Sequence, residues 1–444
     1  MTRVLVAGAG KSSTYLIEYL LLCAQRHKWE IVVADGSEQA IMEKLGHHPN
    51  GRAAAIDITN DKERRPLVQE ADMVVSLMPP HLHYLLAKDC LDFGKNLITA
   101  SYVSPEMKSL DAAAKEKNLL FMCEMGLDPG IDHMTASQII HSIQKVRGSL
   151  CCFKSYCGGL VAPADDDNPW HYKFSWNPRN VLTAGMAGAE FLQRKKPVQL
   201  DYKNLFDPKK KVKINGLGNL GYYPNRDSLH YLDLYQTHDT NTFMRATLRY
   251  PDFICGWRAL IDLGLTELDD NLPAFKNATE WLAYKSNFEN GNAAGLRQHV
   301  AQKLGEQADG KIMNLLAWLG IFDAEPLSGQ ATNSSSALEE ILLRKWELGP
   351  DEKDMVVMAH EMEYEQGGQR HHMTSTMILE GEGGNRSAMA KTVGLPMAIL
   401  TELMLNQKIS NLPTGVCVPT MPAVYKPVLK RLEHHGIVFK DSVV

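Results

Sequence analysis

The sequence predicts an α/β protein: a doubly wound parallel sheet, a mixed α/β domain inserted into it, and a helical subdomain within that. Three observations predict it. Short β-branched runs alternate with helix-compatible stretches from residue 3 to residue 124, the pattern of parallel strands joined by crossover helices. A glycine turn, Gly8-Ala9-Gly10, separates the first strand from the first helix. From Pro251 to about Leu348 the pattern turns helical, with Ile312, Leu315, Leu316 and Leu319 at three- and four-residue spacing.

Residues 3–7, RVLVA, make the first strand, Ser13–Gln25 the first helix, and Glu30–Ala34 the second strand, which ends in Asp35. Strand, glycine turn, helix, strand and acid in this order form a Rossmann dinucleotide-binding unit. Gly8 and Gly10 permit the tight turn and let a pyrophosphate approach the backbone at the helix N-terminus, with Lys11, Ser12 and Ser13 completing the turn. Ser13 stands where a third glycine is usual. Asp35, with Gly36 and Ser37 beside it, falls where an acid accepts from both ribose hydroxyls of the adenosine. Asp57 and Ile58 follow a third strand, Ala53–Ile56, and would flank the adenine. Further strands are expected at Met73–Met78, stopped by Pro79-Pro80, at Asn96–Ala100 and at Leu119–Glu124. Ligands of such sheets bind beyond the strand C-termini. Leu77, Met78, Ser101, Tyr102, Leu127, Asp128 and Pro129 therefore join the candidate cofactor and substrate edge.

Beyond Asp132 a helix over about Met134–Val146 leads to a strand at Leu150–Ser155. The run Ser155–Trp176, SYCGGLVAPADDDNPWHYKFSW, holds neither a helical nor a strand period for long. It reads as a shaped loop system that presents side chains to a ligand. Tyr202–Gly221 mixes short strands and turns, Tyr222–Ser228 is a polar loop, and Thr242–Tyr250 is a strand. Met355–Tyr364 and Met373–Glu380 form a hairpin around Gln366–Arg370, and Ser387–Leu405 is a helix. The expected domains are residues 1–130 completed by about 387–425, residues 131–250 with 351–386, and the helical subdomain 251–350.

At 444 residues, 44% apolar and 22% charged, with a net charge of −5, the chain has the composition of a soluble enzyme. That balance gives no reason to expect nucleic acid or an anionic membrane as partner. No apolar stretch reads as long enough to span a bilayer. No leader peptide opens the sequence, and eight cysteines without a CxxC pair suit reduced thiols, so a cytoplasmic protein without a metal site is expected.

The phrases ASYVSPEM (100–107), MGLDPGIDH (125–133), SYCGGLVAP (155–163), NPWHYKFSW (168–176), YPNRDS (223–228) and TLRY (247–250) resemble the glutamate-forming saccharopine dehydrogenases, or saccharopine reductases. GPDEKDMVVM (349–358) and SAMAKTVGLPMA (387–398) look closest to the dehydrogenase half of the bifunctional lysine-degrading enzyme. The resemblance runs from residue 3 to the C-terminus. It implies oxidative cleavage of saccharopine to glutamate and 2-aminoadipate 6-semialdehyde, a nicotinamide cofactor, and a homodimer whose mixed α/β domain serves substrate binding and dimerisation. Tyr102, Asp128 and Cys157 match the family's active-site residues, and Arg226 and Arg249 its substrate-contacting arginines. Ser101, Thr247 and Leu248 lie in the same motifs and join the expected substrate site.

Each assignment has a plain structural counterpart. Asp128 could cap the helix that follows it, Cys157 could be a weakly polar wall, and either arginine could sit in a structural ion pair. His83, His133 and Lys173 read as structural or orienting residues. Fungal members of the family carry an arginine just after the second strand, where this chain has Asp35-Gly36-Ser37. An acid there repels a 2′-phosphate, so NAD is expected over NADP, with NADP possible. Two competing functions are a carboxyspermidine-type dehydrogenase, for which Asp165-Asp166-Asp167 could bind amines, and a non-catalytic dinucleotide-binding protein.

Overall fold

Val4, Leu5, Val6 and Ala7 are buried on both faces of β1 (Arg3–Ala7), as a central parallel strand requires. In this computed structural model, which describes residues 1–269, 272–289 and 292–443, β1 lies between β2 (Glu30–Asp35) and β4 (Met73–Ser76). Beyond β2 comes β3 (Gly51–Ala55), and beyond β4 come β5 (Asn96–Thr99), β6 (Leu120–Met122) and a short strand at Gly415–Cys417. All six pairings of this seven-stranded sheet are parallel, as expected of a doubly wound fold. The seventh strand, three residues long, has too little sequence to announce itself.

The chain divides into two compact units, Met1–Leu150 with Asp233–Thr237 and Glu363–Val444, and Cys151–Leu232 with His238–Met362. The parallel sheet belongs to the first. Helix Ala388–Leu405 packs there against helix Thr14–His27. At 18 residues it is long and apolar enough to cross a membrane by length and composition, which corrects the expectation that no stretch is. Most of it is buried inside the protein, as in the core helix of a soluble fold.

In the second unit the strand order is β10 (Lys211–Ile214), β11 (Gly218–Pro224), β13 (Thr242–Arg249), β7 (Ser149–Val161) and β14 (Asp354–Gln366). β10, β11 and β13 run antiparallel and β13 runs parallel to β7, so the sheet is mixed. To one side, β8 (Ala189–Gln193) pairs with β9 (Lys196–Leu200) and with β12 (Arg226–Asp227). Among the described residues, five helices between Pro251 and Lys345 bury Trp257, Trp281, Leu316 and Leu338 in one core.

Two expectations are corrected here. The run Ser155–Trp176 is not a free loop system. Its first seven residues continue β7, and Trp170, Tyr172 and Phe174 are core residues, 0%, 1% and 3% exposed. One of the glycines that hid the strand, Gly158, is a packing device. A Cβ on Gly158 would stand 2.6 Å from the Leu248 carbonyl oxygen of the neighbouring strand. Likewise the expected loop Tyr222–Ser228 is mostly strand, in β11 and β12.

The first unit's glycine turn sits where the strand order reverses. Gly8 has φ +107°, and a Cβ there would lie 3.0 Å from the carbonyl carbon and oxygen of Leu77. β1 and β4 end side by side, with the Leu77 N–H donating to the Ala7 carbonyl at 2.8 Å. Gly10 differs. Its φ is −69°, open to any residue, and its Cβ position has no protein atom within 4 Å. Neither conformation nor packing demands glycine there, which leaves room at this turn for the close ligand approach expected of the glycine turn. Ser13, fully buried, replaces the third glycine by turning its hydroxyl onto the Gly10 carbonyl at 2.8 Å.

Gly10→Ala should therefore keep the urea midpoint at or above the wild-type value, since no strain arises. It should weaken dinucleotide binding by at least about tenfold, or about 1.4 kcal/mol. Unchanged affinity in the folded variant would remove Gly10 from the ligand edge.

Candidate functional site

At the tip of β2 the Asp35 carboxylate accepts from the Ala9 N–H at 2.8 Å and from the Ser37 N–H at 3.0 Å. The acid thereby ties the glycine turn to the end of β2 and fixes a negative charge at that edge. Asp57, exposed after β3, accepts from the N–H and hydroxyl of Thr59 at 2.9 and 2.7 Å, which hold its carboxyl below the usual range. Ile58 is 6% exposed and packs into the core of the first unit.

Beyond β4 and β5, His83 bridges the two strand ends. Its Nδ1 lies 2.7 Å from the Ser76 hydroxyl and its Nε2 2.7 Å from the Ser101 hydroxyl. Burial pushes its pKa down to about 4, helped by nearby His81, so the ring is neutral at pH 7 and orients Ser101. The Tyr102 hydroxyl donates to Asp128 Oδ1 at 3.3 Å, so two of the expected active-site residues meet. The expected cap is corrected: helix Ile131–Lys145 has Gly130 as its N-cap with no side-chain cap, and Asp132 accepts from the Gly130 N–H at 2.6 Å. Leu127 and Pro129 are buried in the same loop, where the Gly126 N–H donates to the Pro129 carbonyl at 3.0 Å. Around it lies a buried trio: His133, expected as an orienting residue, with Glu124, which sequence reasoning took only as the end of a strand, and Tyr235, which it passed over.

In the second unit the two faces of β13 separate by parity. Met244, Ala246 and Leu248 enter a hydrophobic core with Tyr156 and Leu160 of β7. Arg245, Thr247 and Arg249 take the other face, and Cys157 pairs with Thr247 in register. Leu248 is thus a core residue by its side chain, with only its main chain beside the arginine. Arg249 is 3% exposed. Its Nη1 donates to the Leu248 carbonyl at 2.7 Å, its carbon centre lies 5.1 Å from the Tyr172 ring and 5.4 Å from the Phe253 ring, and its Nε has no hydrogen-bond partner. Among the described residues Arg249 makes no ion pair with a carboxylate. Arg226 is exposed at β12 with φ +52°. Arg245, 1% exposed and 4.6 Å from the Tyr231 ring, was missed. Its four-residue spacing from Arg249 on one strand was the available signal.

The acid run is occupied locally. Asp165 accepts from the Lys353 N–H at 3.0 Å, Asp166 pairs with His171 at 2.6 Å, and Asp167 pairs with Lys173 at 2.9 Å. Burial alone would lower the Lys173 pKa, but its bonds to Glu352 and Asp167 raise it, so it stays charged in a structural cluster. These bonds tie His171, Lys173 and the three aspartates together within the second unit.

Two family models match the chain: the saccharopine dehydrogenase NADP binding domain over residues 4–122 and the saccharopine dehydrogenase C-terminal domain over residues 126–437. A Schizosaccharomyces pombe protein named saccharopine dehydrogenase [NADP(+), L-glutamate-forming] is 33% identical across 100% of this chain and 99% of its own length. The mitochondrial alpha-aminoadipic semialdehyde synthase of Bos taurus is 34% identical over 98% of this chain, which spans 47% of that longer protein. The apo saccharopine dehydrogenase (L-Glu forming) of Saccharomyces cerevisiae superposes with a TM-score of 0.90, at 30% identity and over 100% of both chains. The NADP in the family description and in the fungal name does not carry the NAD preference expected from Asp35. With its full-length match in sequence and in fold, this chain belongs to the saccharopine dehydrogenase family.

Proposed function

We propose that this protein catalyses the dinucleotide-dependent oxidative cleavage of saccharopine to L-glutamate and 2-aminoadipate 6-semialdehyde, or the reverse condensation. The observation that carries the reading is Arg249, a guanidinium buried on two aromatic rings with no carboxylate partner among the described residues. An uncompensated buried cation is costly and calls for an anionic ligand, and saccharopine brings three carboxylates. Arg226 is the second proposed anchor. The occupied aspartates Asp165, Asp166 and Asp167 weigh against an amine-rich, carboxyspermidine-like substrate.

In the oxidative direction the secondary amine loses its proton, and the adjacent carbon gives up hydride, leaving an imine. Water adds to the imine carbon, and the carbinolamine collapses to aldehyde and the amine of glutamate. One water is consumed and one proton released. The nicotinamide supplies the hydride acceptor when bound, and the open face at Gly10 and the turn held by Asp35 suit its pyrophosphate and ribose. Tyr102, Asp128 and Cys157 are the proposed proton-handling groups. Tyr102 and Asp128 share a hydrogen bond, which suits relay of a proton more than action by one strong base. Ser101, held by His83, orients the neighbouring cofactor and substrate groups.

The preference for NAD rests on Asp35. Two like charges about 4 Å apart repel by about 1 kcal/mol in water and about 4 kcal/mol at an effective dielectric of 20. That would disfavour a 2′-phosphate by roughly fivefold or more. The relatives named for NADP(+) weigh the other way.

Purified protein should form reduced dinucleotide on addition of saccharopine, read by absorbance, with glutamate as a product. Absence of both in folded protein overturns the activity. Arg249→Lys keeps the charge but loses the planar fork, so KM for saccharopine should rise by about tenfold or more while KM for the dinucleotide holds. Equal saccharopine kinetics would remove Arg249 from the site. For the cofactor, kcat/KM should be higher with NAD, and Asp35→Ser should narrow the gap. A higher wild-type value with NADP refutes the part given to Asp35.

A further inference from the structure

We infer that Glu124 is a positioning residue for the Tyr102–Asp128 pair, tying the two loops that carry them through one buried carboxylate. This rests on the roles proposed above for Tyr102 and Asp128.

Glu124 has an unusual environment. It follows β6, is 2% exposed, and holds φ +56°. A non-glycine residue keeps such a left-handed conformation only where surrounding contacts over-determine it. Those contacts divide between the Tyr102 loop and the helix that follows the Asp128 loop. Toward the first, the Glu124 N–H donates to the Ser101 carbonyl at 3.0 Å, and its Oε1 accepts from the Val103 N–H at 3.1 Å. Backbone and side chain together bracket Tyr102. Toward the second, Oε2 lies 2.7 Å from Nε2 of His133, the third residue of helix Ile131–Lys145. Five residues before His133 is Asp128, in a loop closed onto the helix start by the Ile131 N–H donating to Gly126 at 2.9 Å. The other ring nitrogen of His133 lies 2.6 Å from the Tyr235 hydroxyl, which fixes the ring plane.

The Tyr102–Asp128 contact, at 3.3 Å, is longer than an ordinary O–H···O bond. Its two partners stand on loops with no regular secondary structure of their own, so a small shift of either would break it. Glu124 holds the backbone on both sides of Tyr102 and the helix that follows the Asp128 loop at once. The role depends on reach, since both carboxylate oxygens are used, and not on charge.

Reach and charge can be separated. Glu124→Gln keeps the length, and its carbonyl can still accept from Val103 while its amide donates to His133 in the opposite tautomer. Glu124→Asp keeps the charge but is one methylene short. The Gln variant should hold kcat within about threefold of wild type. The Asp variant should lose about 10- to 100-fold in kcat, the scale of an ångström-sized misplacement. Dinucleotide affinity, read by direct binding, should stay within about twofold of wild type in both. A protein carrying 13C at the tyrosine Cζ, with the Tyr102 resonance assigned from Tyr102→Phe, should show that signal displaced in Asp and retained in Gln. A wild type without saccharopine turnover overturns the functional reading alone, and the Tyr102 signal then decides the positioning. Activity kept in Asp and lost in Gln, kcat and dinucleotide affinity falling together, or an unmoved Tyr102 signal in Asp overturns the inference. If Glu124→Asp does not fold, His133→Ala cuts the tie to the helix, and an unmoved Tyr102 signal there overturns it too.

Discussion

The structure turns on a buried guanidinium, Arg249, that makes no ion pair with a carboxylate among the described residues. Arg249 stacks on Tyr172 and Phe253, gives one hydrogen bond to the carbonyl of its neighbour, and leaves its Nε unbonded. Such an arrangement costs stability in the free protein. It persists because the sheet over-determines it. Leu248 on one side of Arg249 is locked in the opposite core, and Tyr172 and Phe253 are core residues themselves. The arginine cannot swing to water without disturbing that packing. That fixed position suits the anion-binding part proposed for it.

The same economy shapes the parallel sheet. Its order reverses between β1 and β4, and the edge beyond those strands is built from short-range ties. Asp35 holds the glycine turn, and His83 holds the ends of β4 and β5 together through Ser76 and Ser101. These bonds use neutral or hydrogen-bonded groups to orient backbone at the strand ends. The side chains proposed for chemistry, Tyr102 and Asp128, contact one another within that edge. Preorganisation of this kind lets ordinary groups handle protons without a strongly basic residue.

Most of the parallel sheet was legible because its strands are continuous apolar runs, such as VLVA in β1 and MVVS in β4, set apart by glycine and proline. The glycine turn and the acid after β2 stood in the expected order. The mixed sheet was harder. In SYCGGLV the two glycines read as a loop, yet Gly158 is in a strand because the Leu248 backbone passes too close for a Cβ. Trp170, Tyr172 and Phe174 were set among acids and prolines and looked exposed, but they complete a core supplied by helices more than 70 residues later in the chain. Periodicity cannot report such distant partners. Asp128 read as a cap because it precedes a helix, whereas the chain turns once more at Pro129-Gly130 before the helix begins. Glu124 gave only a faint sign, an acid in an apolar stretch. The family phrases pointed to Arg226 and Arg249 directly, but only the structure separates a buried, unpaired Arg249 from an exposed Arg226.

The sign of one stability change tests the claim about Arg249 most directly. Arg249→Met removes the charge and keeps a similar volume, and its urea midpoint can be compared with wild type in the absence of ligands. If the arginine is an uncompensated cation kept for substrate, the variant should be as stable as wild type or more so, and should lose saccharopine turnover. A loss of about 3 kcal/mol or more, the cost of breaking a buried ion pair, would mean that the protein itself supplies the counter-charge, and would contradict the account.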